Sequence, residues 1–411
     1  MGPAPGAVAR FNPFTDDFRE NPYPMYRSLR AGSPVHRTMG MWVLTRHADV
    51  RTVLRDRAFA VDVIPGMLRR QAGRLEISDI EGIDRLARTS LVFTGNPEHA
   101  RLRALVNPVF TASAVVGLRP RVAAIAEELT RQAWRAGGMD VVTDFAAALP
   151  VRVLADWLGL PPGLRDHLAG WTHDIRFLLE PGLMTAADFE RVRVVVDEFT
   201  AALREVVAQR RARPGEDLVS RLLAARIGAG GRLSEQDVAC VAIMCFVAGV
   251  ETTKSLIGNA VLALTTHPAQ QRQLRARPDL LASAVSEALR YDSPLQHTKR
   301  RATRDTALGD HVIRADDQVL LCLGAANRDP AAFPDPDTFD ITRDTAGQLA
   351  FGHGLHGCLG APLAQMQAEI ALGCLFGRPG RLVAAAARPQ WQDHSFIVRG
   401  LRHFPVTVES R

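Results

Sequence analysis

Apolar residues recur along most of the chain at the three-to-four-residue spacing of a helix face. Val122, Ile125, Ala126, Leu129 and Ala133 make one such face, and Gly137-Gly138 predicts where that helix stops. Alternating apolar and polar stretches are short and local. They are MWVLTR from residue 41, HVIR and QVLL on either side of Ala315-Asp316-Asp317, and FPVTVE near the C-terminus. Four such stretches are too few to centre a fold on a sheet. The pattern predicts a mainly α protein with a small β region.

One helix stands apart from the rest. Ser234 caps it, Asp237 follows three residues on, and the segment then reads VACVAIMCFVAGVETTKSLIGNAVLALTTHP. Its first thirteen residues are apolar on every face, which predicts burial at the centre of a large protein. Gly249, Glu251, Thr252 and Thr253 then interrupt the apolar rod. Glycine costs a helix interior roughly 1 kcal/mol relative to alanine, and a buried carboxylate costs more unless paired or hydrated. Polar groups set against that penalty predict a functional break in the helix. A helix merely emerging into solvent after Val250 fits less well, because SLIGNAVLAL resumes the apolar pattern.

Composition narrows the class. No low-complexity linker or internal repeat divides the 411 residues, so a single domain over 1–411 is expected, with 1–19 as a flexible N-terminal segment. The net charge of +6 comes mainly from scattered arginines, with no basic block interleaved with aromatics. That fits a docking face for an acidic protein and argues against nucleic-acid binding. The opening MGPAPGAVARFNPF lacks a signal-peptide pattern, and no apolar run of membrane-spanning length follows. The expectation is a cytoplasmic protein without a membrane anchor. The five cysteines (Cys240, Cys245, Cys322, Cys358 and Cys374) contain no C-x-x-C pair and read as reduced thiols.

Chemistry concentrates in residues 351–360, FGHGLHGCLG. Pro362, tolerated only in a helix's first turn, places Cys358 at a helix N-terminus, where dipole and free N–H groups favour a thiolate. A lone thiolate can be a nucleophile or a metal ligand. As a nucleophile it would need a histidine base, and His356, two residues upstream in a Gly-rich loop, is not placed as one usually is. One thiolate is, however, a complete protein ligand set for a haem iron, whose equatorial positions belong to the porphyrin. Gly352, Gly354 and Gly360 would then let the backbone lie against a flat macrocycle and turn N–H groups toward the sulfur.

FGHGLHGCLG resembles the haem-binding loop of the cytochrome P450 family, Phe-Gly-x-Gly-x-x-x-Cys-x-Gly, at every fixed position. AGVETT (248–253) resembles that family's oxygen-activation motif, EALR (287–290) its Glu-x-x-Arg pair, and HARLR (99–103) its His-x-x-x-Arg pair. With AANRDP and RGLRHFPV, the resemblance runs from about residue 20 to the C-terminus, in the style of soluble bacterial members. It implies the cytochrome P450 fold, with haem b between the long central helix and the cysteine loop. Cys358 is then the axial ligand of the iron, and Phe351, Gly352, Gly360, Ala248 and Gly249 lie against the macrocycle. His99, Arg103, Arg300 and His356 meet the propionates, with Arg301 the competitor of Arg300. Glu287 and Arg290 form a structural pair whose usual third partner, an Arg or His two residues after a proline, is Thr338 here. Arg343 is the candidate substitute.

Glu251 and Thr252 carry the implied catalysis. Splitting an O–O bond requires two protons delivered in an otherwise dry site, Thr252 holding a water and Glu251 connecting it to solvent. The rival reading of Thr252 is a helix hydroxyl bonded back to a carbonyl. The implied function is a haem-thiolate monooxygenase using O2, with electrons from NAD(P)H through ferredoxin reductase and ferredoxin. A hydrogen-peroxide-dependent peroxygenase and a non-catalytic haem protein are the alternatives. Pocket walls are expected from the loop around 60–93 and from Met244, Val247, Ala248, Leu295, Gln296, Phe396 and Ile397. These suit a hydrophobic small molecule of secondary metabolism, with fatty acids still open. A monomer is expected, its redox partner docking on the Cys358 face near Arg101.

Overall fold

A computed structural model describes residues 11–226, 231–385 and 388–409. Helices dominate, and the expected four strands form at Met41–Leu44, His311–Ile313, Gln318–Cys322 and Pro405–Glu409. Helix Arg119–Ala136 buries Val122, Ile125, Ala126, Leu129 and Ala133 and ends at Gly137, whose φ of 75° is the left-handed turn glycine permits. Residues 11–19, expected to be part of a flexible segment, hold two buried aromatics. Phe11 and Phe18 are buried against Tyr26 and His297, so the chain is packed from residue 11 onward. Residues 1–10 lie outside the described range. The expected loop at 60–93 holds two helices, Val63–Arg74 and Glu81–Arg88, whose buried faces (Ile64, Leu68, Ile83, Leu86) join the main core.

The central helix spans Glu235–Thr266. The Ser234 side chain accepts from the Asp237 N–H, and the Asp237 carboxylate accepts from the Ser234 N–H, closing a reciprocal cap. The predicted break does not occur. The helix runs unbroken through this stretch, and Glu251 and Thr252 find their partners within it. Lys254 Nζ donates to both Glu251 oxygens at 2.9 Å, Thr252 Oγ1 to the Ala248 carbonyl at 2.8 Å, and Ser255 Oγ to the Glu251 carbonyl at 2.9 Å. Gly249 serves packing: a Cβ there would lie 2.7 Å from Leu154 Cδ1 on helix Ala148–Leu158. The central helix is long and apolar enough to cross a membrane, but most of that stretch is buried inside the protein.

The largest sheet has five strands in the order Val35–Thr38, Met41–Leu44, Gln318–Cys322, His297–Ala302, Phe59–Ala60. Met41–Leu44 and Gln318–Cys322 run parallel, while every other pairing in that sheet is antiparallel. Strand His297–Ala302 escaped the sequence pattern because HTKRRA is mostly polar. Its inner positions are nevertheless buried, because the sheet backs onto the functional cavity.

Candidate functional site

A cavity of about 360 Å³ lies between the central helix, strand His297–Ala302 and the loop 350–360. Its apolar walls include Val63, Ile64, Leu91, Phe93, Leu154, Met244, Val247, Ala248, Leu295 and Ile397. Gly249, Glu251 and Thr252 line it from the central helix; Phe351, Gly352, His356, Cys358 and Gly360 line it from the loop. The residues singled out in two distant motifs therefore share one chamber.

The loop's shape follows from its glycines. Gly352 and Gly354 have φ of 68° and 72°, and a Cβ on Gly354 would lie 2.9 Å from the Leu54 carbonyl. The Cys358 N–H donates to the Phe351 carbonyl at 2.9 Å, folding the loop back on itself. Helix Ala361–Phe376 starts directly after Gly360 with Pro362 in its first turn. Backbone N–H groups of Gly360 and Ala361 reach the Cys358 sulfur. Burial nevertheless dominates and holds the thiol above its ordinary range, with those N–H groups and Arg103 opposing it. Cys245, the second thiol on the cavity, is pushed up to about 12 by burial with no group opposing it.

At one side of the chamber four basic groups converge with few partners. Arg103 Nη1 donates to the Gly357 carbonyl at 3.0 Å, and burial lowers its pKa. Arg300 is 5% exposed and, among the described residues, donates only to Thr298 Oγ1 and the Lys299 carbonyl. With no acid against it, burial lowers its pKa to about 10. The rings of His99 and His356 lie 3.8 Å apart, and His99 Nε2 and His356 Nδ1 are both buried without a hydrogen-bond partner. Burial, then His99, Arg300 and Arg103, push His356 down to about 3. Such a cluster of orphaned donors beside a thiol suits a cofactor carrying two carboxylates. A Cβ on Gly360 would meet no protein atom within 4 Å, so the chamber there admits a flat group. The residues present fit a haem.

The pleat separates the adjacent arginines. Arg301 projects to the other face, where it binds Asp62 and Asp316, so Arg300 alone lines the chamber. Glu287 and Arg290 are both 0% exposed and share two hydrogen bonds of 2.7 and 2.8 Å. Thr338 contributes its carbonyl to Arg290, while Arg343 Nε approaches Glu287 at 3.4 Å and takes the third place.

Two expected walls are not walls. Gln296 is pinned by Tyr26 and the Ser293 carbonyl, its amide filling the space a Gly324 Cβ would need. Phe396 packs on Phe14, His297 and Lys299. Both lie outside the chamber. Arg101 is held by Glu98 through three hydrogen bonds, which offsets its charge as a docking contact.

Sequence reasoning missed two residues. Lys254, one turn from Glu251, could have been found from its i,i+3 spacing. Burial would raise the Glu251 carboxyl, but the charges of Lys254 and Arg176 outweigh it and keep Glu251 ionised. Arg176 lines the chamber from the short segment Arg176–Leu179, and no sequence pattern marked it.

Comparison with known proteins gives consistent neighbours. The family profile described as Cytochrome P450 matches residues 174–378. Vitamin D(3) 25-hydroxylase of Pseudonocardia autotrophica is 35% identical over 97% of this chain and 96% of its own length. The 6-deoxyerythronolide B hydroxylase of Saccharopolyspora erythraea is 34% identical, covering 96% of this chain and 98% of its own. Among solved structures, CalO2 superposes with a TM-score of 0.89 at 35% identity, over 98% of this chain and 99% of that one.

Proposed function

The chain belongs to the cytochrome P450 family and is a monooxygenase, and from that premise we propose that it oxidises a hydrophobic small molecule of secondary metabolism. One observation carries this reading: the Cys358 loop and the Glu251-Thr252 pair line the same largely apolar chamber. We assign Cys358 as the residue that would ligate the iron of a haem b, with Arg103, Arg300, His99 and His356 as those that would hold its carboxylates. When bound, the haem would supply the iron at which dioxygen is activated.

The protein's own residues bind, dry and protonate. Leu154, Val247, Leu295 and Ile397 exclude water from the substrate. Thr252 donates to Ala248, which leaves its oxygen as an acceptor that can orient a water. Glu251 is ionised and paired with Lys254, so to relay a proton it must leave Lys254, take a proton from solvent and then release it into the chamber, returning to the ionised pair. The chain carries no flavin or iron–sulfur motif, which supports an external electron source. We assign a ferredoxin and its NAD(P)H-dependent reductase to that role.

Absorption spectroscopy tests the assignment. The reduced carbon-monoxide complex is expected to show the red-shifted Soret band of thiolate ligation, and Cys358→His to lose it. A variant that keeps the band would move the ligand to another cysteine, Cys245 first.

A further inference from the structure

Arg176 is 3% exposed, yet no carboxylate among the described residues lies within 4 Å of it. Its Nε is buried with no hydrogen-bond partner. Among the described residues its only hydrogen-bond contact is a long one, 3.4 Å from Nη2 to His173 Nδ1, and its guanidinium otherwise lies over the Phe177 ring. The acids around it are engaged elsewhere. Glu251 holds Lys254 at 2.9 Å, Glu180 accepts from the Phe396 N–H at 3.2 Å, and Asp174 faces Arg191 at 3.8 Å. Arg176 nevertheless lines the chamber, whose walls are otherwise largely apolar.

A buried guanidinium with free N–H groups is costly to maintain unless something anionic or strongly accepting completes it. The propionate side of the chamber has its own cations in Arg103, Arg300 and the two histidines, and none of these contacts Arg176. Its unfilled valence is therefore available to the substrate. We propose that Arg176 is a specificity-determining residue that anchors a carboxylate at one end of an otherwise apolar substrate. The inference rests on the chamber being the substrate site.

Two further features support this placement. Arg176 follows directly on helix Arg165–Ile175, and the neighbouring chamber residues Ile175 and Leu179 are apolar. An acid held at Arg176 would thus extend an apolar body along those walls. A fork of parallel N–H donors matches a carboxylate in two contacts, which an ester or amine cannot reproduce.

The test is a spectral and calorimetric titration of matched ligands with the purified haem protein. Dodecanoic acid, a steroid acid and an arylalkanoic acid are each compared with their methyl esters. At least one acid is expected to bind roughly thirtyfold or more tighter than its ester. Arg176→Gln should abolish that preference while leaving ester affinity within about twofold, and Arg176→Lys should retain part of it. No acid outbinding its ester would overturn the proposal, as would Arg176→Gln weakening acid and ester alike. So would unchanged acid affinity with altered peroxide release, which would assign the guanidinium to Glu251. The thiolate carbon-monoxide band, read on every variant, confirms that the protein is folded. Its absence from wild type would defeat the haem assignment separately.

Discussion

In Thr252 the back-bond that sequence set against a role in the chamber is compatible with facing it. Its hydroxyl donates back to Ala248 and also lines the chamber, so its oxygen can only accept while that bond stands. If that oxygen orients a water, Thr252→Ala leaves haem and substrate binding nearly intact. NAD(P)H consumption should continue, with product per NAD(P)H lower by roughly tenfold or more and hydrogen peroxide raised. If the buried acid is the proposed link to solvent, Glu251→Gln should instead slow turnover itself. Equal coupling in Thr252→Ala and wild type would remove Thr252 from the proton path. Both assays use one reaction mixture, with NAD(P)H, product and peroxide measured together.

Helix Leu281–Tyr291 carries the most enclosed ion pair in the molecule's interior. Glu287 accepts from Arg290, from the Asp340 N–H and from Arg343, while Arg290 also donates to the carbonyls of Asn327, Pro336 and Thr338. Arg290→Leu would leave Glu287 buried with the Asp340 N–H at 2.9 Å and the long Arg343 contact as its remaining partners, at a cost of about 3–5 kcal/mol. Urea unfolding should show that loss, and Arg343→Ala a smaller one. A wild-type midpoint in Arg290→Leu would make the pair dispensable. The pair was legible in EALR through resemblance, but its burial was not, since i,i+3 charges are commonly a surface feature. The cap at Ser234 and the stop at Gly137 were legible because both depend on local chemistry. The separation of Arg300 from Arg301 depends on which way a polar strand's pleat faces, and only its sheet neighbours decide that. Gln296 was misplaced because the Tyr26 hydroxyl that pins it lies 270 residues away in sequence, and Arg176 was missed because no acid among the described residues pairs with it.

Across the whole molecule, several histidines are buried neutral. His297 sits between Tyr26 Oη at 3.0 Å and the Phe396 carbonyl at 2.7 Å, and burial lowers its pKa from 6.5 to about 4. The unfolded chain therefore takes up this proton first as pH falls below about 6.5. Stability from this group is complete above that pH and drains toward pH 4, by at most roughly 3 kcal/mol. His394, also lowered to about 4 by burial, adds in the same direction. The urea midpoint should fall between pH 7 and pH 5, and fall less in His297→Gln; identical slopes would exclude this histidine as a source. The sheet beside His297 also bears on the order of assembly. Met41–Leu44 finds its parallel neighbour only at Gln318–Cys322, and the strand bearing Arg300 docks on that neighbour's other edge. During synthesis the early hairpin must wait with one edge bare until nearly four-fifths of the chain has left the ribosome. The cationic wall of the chamber and the Cys358 loop both come later than that hairpin, so on the proposed assignment haem capture would belong to the end of translation.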